Sequence, residues 1–293
     1  MVIICYASFI GVTVFSNELG LFLSIISLSV IIALHSSLQH EVLHGHPFRN
    51  QYLSEALVFL PIGIFIPYLR FKDTHLLHHH DPNLTDPYDD PESNFLDPRV
   101  WQNAPNFLKS LYGFNNTLAG RMLIGPIISL AGLYRDDAIE LLKGNKRILT
   151  SYALHSLGLL MVFYWLTSFS DINIGGYFLA AYSAVSILKI RTFLEHRAHD
   201  KACQRTVIIE DRGLLSILFL NNNFHSVHHA YPKMEWYKLP KFYHSKRAEF
   251  NKRNGEYYFS SYAEIFKNYL FRKKDPVPHP LMSSENKISH KAN

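Results

Sequence analysis

The sequence predicts an all-α, multi-pass membrane protein with about four transmembrane helices in two hairpins and a cytosolic helical cap. Three observations carry that reading. Charged residues make up only 18% of the 293 residues, against about a quarter in a typical soluble chain. Apolar runs of near-spanning length occur in two pairs, each near the roughly 20 residues a crossing helix needs. Histidines gather in four short clusters beside those runs rather than along the chain. Mean hydropathy is near zero, so a sizeable aqueous part must accompany the apolar helices.

The first apolar run is Val2 to Phe15. It has no basic leader and no small-residue cleavage site, so a signal peptide is not expected. The polar Ser16-Asn-Glu-Leu-Gly20 turn follows, and then Leu21 to Leu38, whose polar groups are serines and His35. Together these read as a hairpin. Tyr52 to Phe71 is apolar again, but Pro61 and Pro67 break its helix. It is expected to enter and return, which leaves the clusters before and after it on one side.

Residues 81–106 are rich in Asp-Pro pairs (81–82, 86–87, 90–91 and 97–98), which is loop chemistry. Met122 to Tyr134 is apolar but interrupted by Gly125-Pro126, and suits the membrane interface. Ile148 to Phe169 and Ile172 to Ile190 form the second hairpin, joined by the acidic Ser170-Asp-Ile-Asn173 turn. A single domain is expected over residues 1–275, with 276–293 a polar tail expected to be disordered.

Charge orients the hairpins. The turns around Ser16 and Asp171 hold no Lys or Arg, whereas the opposite ends carry Arg49, Arg70, Lys72, Lys143, Lys146, Arg147, Lys189, Arg191 and Arg197. By the positive-inside rule both termini and every histidine cluster are cytoplasmic. The basic, aromatic stretch Lys233 to Arg253 then lies where it can rest on anionic headgroups, or form an ordinary solvated helix. Nucleic-acid binding does not suit a chain anchored beside membrane helices. Cys5 and Cys203 are too few for a disulfide framework.

The clusters read His40-Glu-Val-Leu-His44, His75-Leu-Leu-His78-His79, Glu195-His196-Arg-Ala-His199 and His225-Ser-Val-His228-His229. Residues three or four apart share a helix face, so their imidazoles can converge on one ion. Each cluster alone also suits a helix end or a histidine-rich surface loop, but the repeat of HxxHH favours a metal site. His46 follows Gly45 and precedes Pro47, so it is a weaker candidate. His196 is preferred over His199, and Glu195 is placed either to orient an imidazole or to pair with Arg191 or Arg197. Among Asp81, Asp86, Asp89 and Asp90, some can hold imidazoles, while most suit turns. His35 and His155, inside apolar runs, are read as interhelical hydrogen-bonding groups. Imidazole suits zinc, copper, iron and nickel alike. Eight or nine imidazoles imply two ions with four or five ligands each.

The order HxxxH, HxxHH, HxxHH between two membrane hairpins resembles the integral-membrane fatty acid desaturase and hydroxylase superfamily, over roughly residues 20–245. The resemblance implies a non-haem di-iron centre that uses dioxygen to remove hydrogen from an unactivated C–H bond, most simply in fatty acyl desaturation. It implies as ligands His40, His44, His75, His78, His79, His196, His225, His228 and His229, with Asn221 as a nearby polar residue that Asn222 or Asn223 can replace. It also implies a lipid or acyl-chain substrate. No cytochrome b5 segment is fused, so the electron donor is expected to be separate, of ferredoxin or cytochrome b5 type. Hydroxylation or ketolation of a lipid or carotenoid would use the same metal site. A metal transporter would instead place His and Asp in mid-span.

Overall fold

The computed structural model describes residues 1–282. It is mostly helical, with one two-stranded parallel sheet pairing Ile208–Ile209 with Tyr258–Phe259. Among the described residues two helices are long and apolar enough to cross a membrane, Leu21–Leu43 and Lys146–Ser168. Val2–Val14 is apolar but shorter. Ile174–Thr192 carries Lys189 and Arg191 in its last turn, which dilutes its apolar character.

Leu21–Leu43 and Ile174–Thr192 form the centre of the bundle. Ala180, Ala181 and Ala184 have no exposed surface and sit in one cluster with Leu28, Ile32 and Ala33. Small side chains on one helix let the backbones approach closely. Val2–Val14 packs against Leu21–Leu43, turning through Ser16–Leu19 and Gly20 at φ 77°. The two hairpin turns touch. Asp171 N–H and Ser170 Oγ donate to the Thr13 carbonyl at 3.1 and 2.9 Å, and Trp165 Nε1 donates to Thr13 Oγ1 at 3.0 Å.

The proline-broken stretch is a short helix, Gln51–Ala56, then irregular backbone to Pro67, where Tyr68–His80 begins. Val58 and Ile62 are buried, so their backbone polar groups need partners. Neighbouring side chains supply them. Gln39 Nε2 donates to Val58 O at 3.3 Å, Tyr177 OH to Ile62 O at 2.6 Å, and His155 Nε2 to Ile64 O at 2.9 Å. His155 thus holds this segment, while His35 Nε2 pairs with Tyr6 OH at 3.1 Å. The apolar run from Met122 is split at Ile124 into Leu118–Leu123 and Gly125–Leu142.

The cap has its own core. Phe193, Leu194, Val207, Ile209, Phe219 and Tyr262 form one cluster, and Phe224, Val227, Tyr243 and Phe250 another. The basic stretch from Lys233 becomes two short helices, Leu239–Ser245 and Arg247–Arg253, packed on the second cluster. Within the expected tail, residues 276–282 lie against the cap: Leu96 N–H donates to Val277 O at 3.0 Å and His279 N–H to Leu96 O at 2.8 Å. Residues 283–293 lie outside the described residues.

Candidate metal centre

Four segments deliver the histidines to one place. His40 lies in the last turn of Leu21–Leu43 and His44 caps it. His75, His78 and His79 occupy the last turns of Tyr68–His80. His196 follows Ile174–Thr192 in an extended stretch, bridged to Thr206. His225, His228 and His229 lie on the short His225–Ala230 helix.

They form two groups. His40, His44, His75, His79 and His228 converge on one point, and His78, His196, His225 and His229 on a second, each group with ligand atoms within 4.8 Å of one another. The helical period explains the division. In each HxxHH box the residue at i+3 and the residue at i+4 face different neighbours. His79 therefore joins His75 in the first group while His78 turns to the second. In the last box His228 enters the first group, and His225 and His229 the second. Each HxxHH box thus serves both groups, whereas His40 and His44 serve the first alone, and the rings of His79 and His229 stack between the groups at 4.1 Å.

The nitrogens face inward. In the first group His40 and His75 have Nε2 atoms 3.0 Å apart, His79 and His75 3.0 Å, and His228 and His79 3.1 Å. In the second, His78 and His196 are separated by 2.9 Å, and His225 and His196 by 3.0 Å. Where both Nε2 atoms carry lone pairs, so close an approach is stabilised only by something between them. Donor atoms about 2.1 Å from one ion, at right angles, lie about 3.0 Å apart. The Nε2 atoms of His44 and His229 are buried without a hydrogen-bond partner, as ligand atoms are when only an ion completes them. The residues therefore fit a pair of metal ions.

Carboxylates fix the outer faces. His75 Nδ1 lies 2.7 Å from Glu92 Oε1, and His78 Nδ1 2.7 Å from Asp90 Oδ1. An acceptor on Nδ1 keeps the proton there and leaves the Nε2 lone pair for the ion. Burial alone would lower His78, but Glu92 and Asp90 overcome it and raise its pKa to about 9. Burial works against the Glu92 charge, yet His75 and His78 hold its carboxyl well below the usual range. Asp90 was one of four aspartates open to this role. Nothing in the sequence Asp90-Pro-Glu92 distinguishes Glu92 from turn chemistry. Asp81 and Asp86 accept backbone N–H groups in turns.

The other expected residues fall as follows. Glu195 is buried, 3.1 Å from Arg191 Nε and 3.7 Å from His225 Nδ1, close to Arg191 but beyond hydrogen-bonding reach of the ring. Burial pushes its carboxyl up, and Arg191 partly offsets this. Asn221 does not reach the histidines: its Nδ2 donates to Trp236 O at 3.2 Å. Leu220 and Asn221 both adopt positive φ, which turns the next residue inward. Asn222 donates to Glu195 Oε1 at 3.1 Å, and its Oδ1 lies 3.3 Å from His225 Nδ1. His46 and His199 belong to neither group. His199 Nδ1 accepts Lys201 N–H at 3.1 Å. His80 is exposed, with Nδ1 on Leu76 O at 2.6 Å.

A helical bundle with two inward-facing histidine groups at one end defines an oxidoreductase of the desaturase and hydroxylase type. The sequence profile of the family described as Fatty acid desaturase matches residues 18–261, most of the chain, and the chain belongs to that family. No curated protein matches the chain at a significant level.

Proposed function

We propose that this protein is an integral-membrane, oxygen-dependent fatty acyl desaturase whose nine clustered histidines hold two iron ions. The observation that carries the reading is the pairing of five and four inward-facing imidazoles with no thiolate among them, in a desaturase-family chain. Soft thiolate sets, including the cysteine-containing sets usual for structural zinc, are thereby disfavoured. When bound, iron would supply the reduction of dioxygen and the removal of hydrogen from an unactivated C–H bond. The chain's own residues prepare that chemistry. Glu92 and Asp90 orient His75 and His78, Asn222 holds His225 and is itself held by Glu195, and Arg191 balances the buried Glu195 charge.

The same reading places Val2–Val14, Leu21–Leu43, Lys146–Ser168 and Ile174–Thr192 across the bilayer as two hairpins, with both termini and the histidines cytoplasmic. It is supported by the contact between the two turns that hold no Lys or Arg. It is supported too by the exposed Ile4, Phe22, Leu23, Ile26, Leu157 and Leu160 on three of these helices, a surface that water does not favour. Val2–Val14 reaches about 20 Å at 1.5 Å per residue, and the Ser16–Leu19 turn extends it. The substrate is a lipid acyl chain, and electrons come from a separate ferredoxin or cytochrome b5 type donor.

The test is lipid mass spectrometry of cells expressing the intact chain or His78→Ala/His79→Ala. Acyl chains short of two hydrogens only with the intact chain are expected. Chains gaining one oxygen would instead make it a hydroxylase. Unchanged lipids in cells with confirmed iron loading and a competent donor would overturn the acyl-chain reading. Purified protein holding zinc and no iron would overturn the oxidative one.

A further inference from the structure

The segment from Leu270 to Leu281 lies beyond the stretch that matches the family, yet it is tied to the metal centre. Ala119 N–H donates to Leu270 O at 2.9 Å, Lys274 N–H to Asn116 O at 3.0 Å, and Asn116 Nδ2 to Asp275 O at 2.5 Å. Leu96 N–H donates to Val277 O, Leu96 O accepts from His279 N–H, and His279 Nε2 lies 3.1 Å from Thr85 Oγ1. The segment therefore grips both ends of the 85–97 loop, whose Asp90 and Glu92 hold His78 and His75. One side chain goes further. Lys274 Nζ donates to the His196 carbonyl at 2.9 Å and lies 3.3 Å from Asp275. Its side chain is 6% exposed. Among the described residues no other hydrogen bond reaches that carbonyl.

Burying an ammonium is costly unless it is paired. Here Lys274 shares a cavity of about 30 Å³ with Glu92, Asp90 and Glu195, beside Thr85 and His196. Asp275 and Glu195 partly offset the cost of burying its charge. His196 lies in an extended stretch, not on a helix, so its ring is not placed by the period that aligns the other boxes. It is also the imidazole that both His78 and His225 face.

We propose that the 270–281 segment is a clasp for the metal centre, with Lys274 the positioning residue that seats His196 in the four-histidine group. This rests on reading the two groups as a metal site. Without the ammonium, the His196 carbonyl loses its partner, and His196 is held only through its neighbours, by Val207 N–H on Glu195 O at 3.1 Å and Arg197 N–H on Arg205 O at 2.9 Å. The four-histidine group then binds its ion less tightly, while the five-histidine group, which has no ligand on that stretch, keeps its own.

The experiment compares the full chain in detergent with Lys274→Met, Lys274→Arg and, as a surface control, Lys267→Met. Iron per chain is measured after dialysis against a chelator, with helix content and elution volume checked in parallel. Loss of a group that orients a ligand costs roughly 10–100-fold in metal affinity. Lys274→Met is thus expected to retain about half the iron of the parent at unchanged helix content, with one of two Mössbauer components depleted. Lys274→Arg and Lys267→Met are expected to retain the parent amount. Full retention by Lys274→Met, or equal loss in Lys274→Arg, would overturn the clasp alone. A parent protein that binds no metal would overturn the metal reading together with the clasp.

Discussion

An imidazole offers a lone pair to a metal only while it is neutral. In the metal-free protein, burial holds His79, His196, His225, His228 and His229 below the ordinary histidine value, and the neighbouring imidazoles add to the effect. In the unfolded chain the same rings bind protons near pH 6.5. Below that value the unfolded state takes up more protons than the folded one, so stability falls as pH falls. His78 works the other way. Its pKa is raised to about 9, so its contribution is full below pH about 6.5 and fades as pH rises toward 9. Five groups outweigh one on the acid side. Metal-free protein is therefore expected to melt at progressively lower temperature as pH drops from 7 to 5, and bound metal is expected to raise the melting temperature while leaving an acid-side fall, because ligated rings stay unprotonated. A melting temperature independent of pH in the metal-free protein would show that these rings are not buried as neutral groups.

At the scale of elements, the irregular stretch before Tyr68–His80 is what brings the second histidine box beside the first. It is held by side chains from the bundle and by one close contact. A Cβ at Gly158 would lie 2.5 Å from Pro61 Cδ, and a proline ring cannot move aside. Gly158→Val is expected to cost about 1–3 kcal/mol through overpacking. Thermal melting in detergent should fall by about 2–4 °C for each kcal/mol, and an unchanged melt would mean the segment is free to shift. The sequence announced part of this. Prolines at 61 and 67 marked a broken segment, and the HxxHH period put three imidazoles on neighbouring faces. Period alone left unstated that adjacent histidines, such as His78 and His79, would serve different groups. That division depends on which helices surround the box. Glu92 and Lys274 were silent for another reason: both arrive from irregular segments, where no repeat reveals which way a side chain turns. The shift from Asn221 to Asn222 has the same origin, because two positive φ angles fall just before it.

At the scale of the whole molecule, the proposed topology makes Cys203 a natural reporter. It is exposed on the cap, whereas Cys5 is buried. A membrane-impermeant maleimide is expected to leave Cys203 unlabelled in intact cells and to label it once the membrane is opened. Asp171→Cys, in the second hairpin turn, is expected to be labelled in intact cells. Labelling of Cys203 from outside would invert the orientation.

The two histidine groups are interleaved along the chain. The first draws on His40 and closes only with His228, and the second runs from His78 to His229. A ribosome must therefore have made nearly the whole bundle before either group has its full set of imidazoles. An incomplete product, whether from interrupted synthesis or from proteolysis before residue 225, has neither set complete. Under the proposed function, a chain cut short of residue 229 could not hold both ions in full coordination.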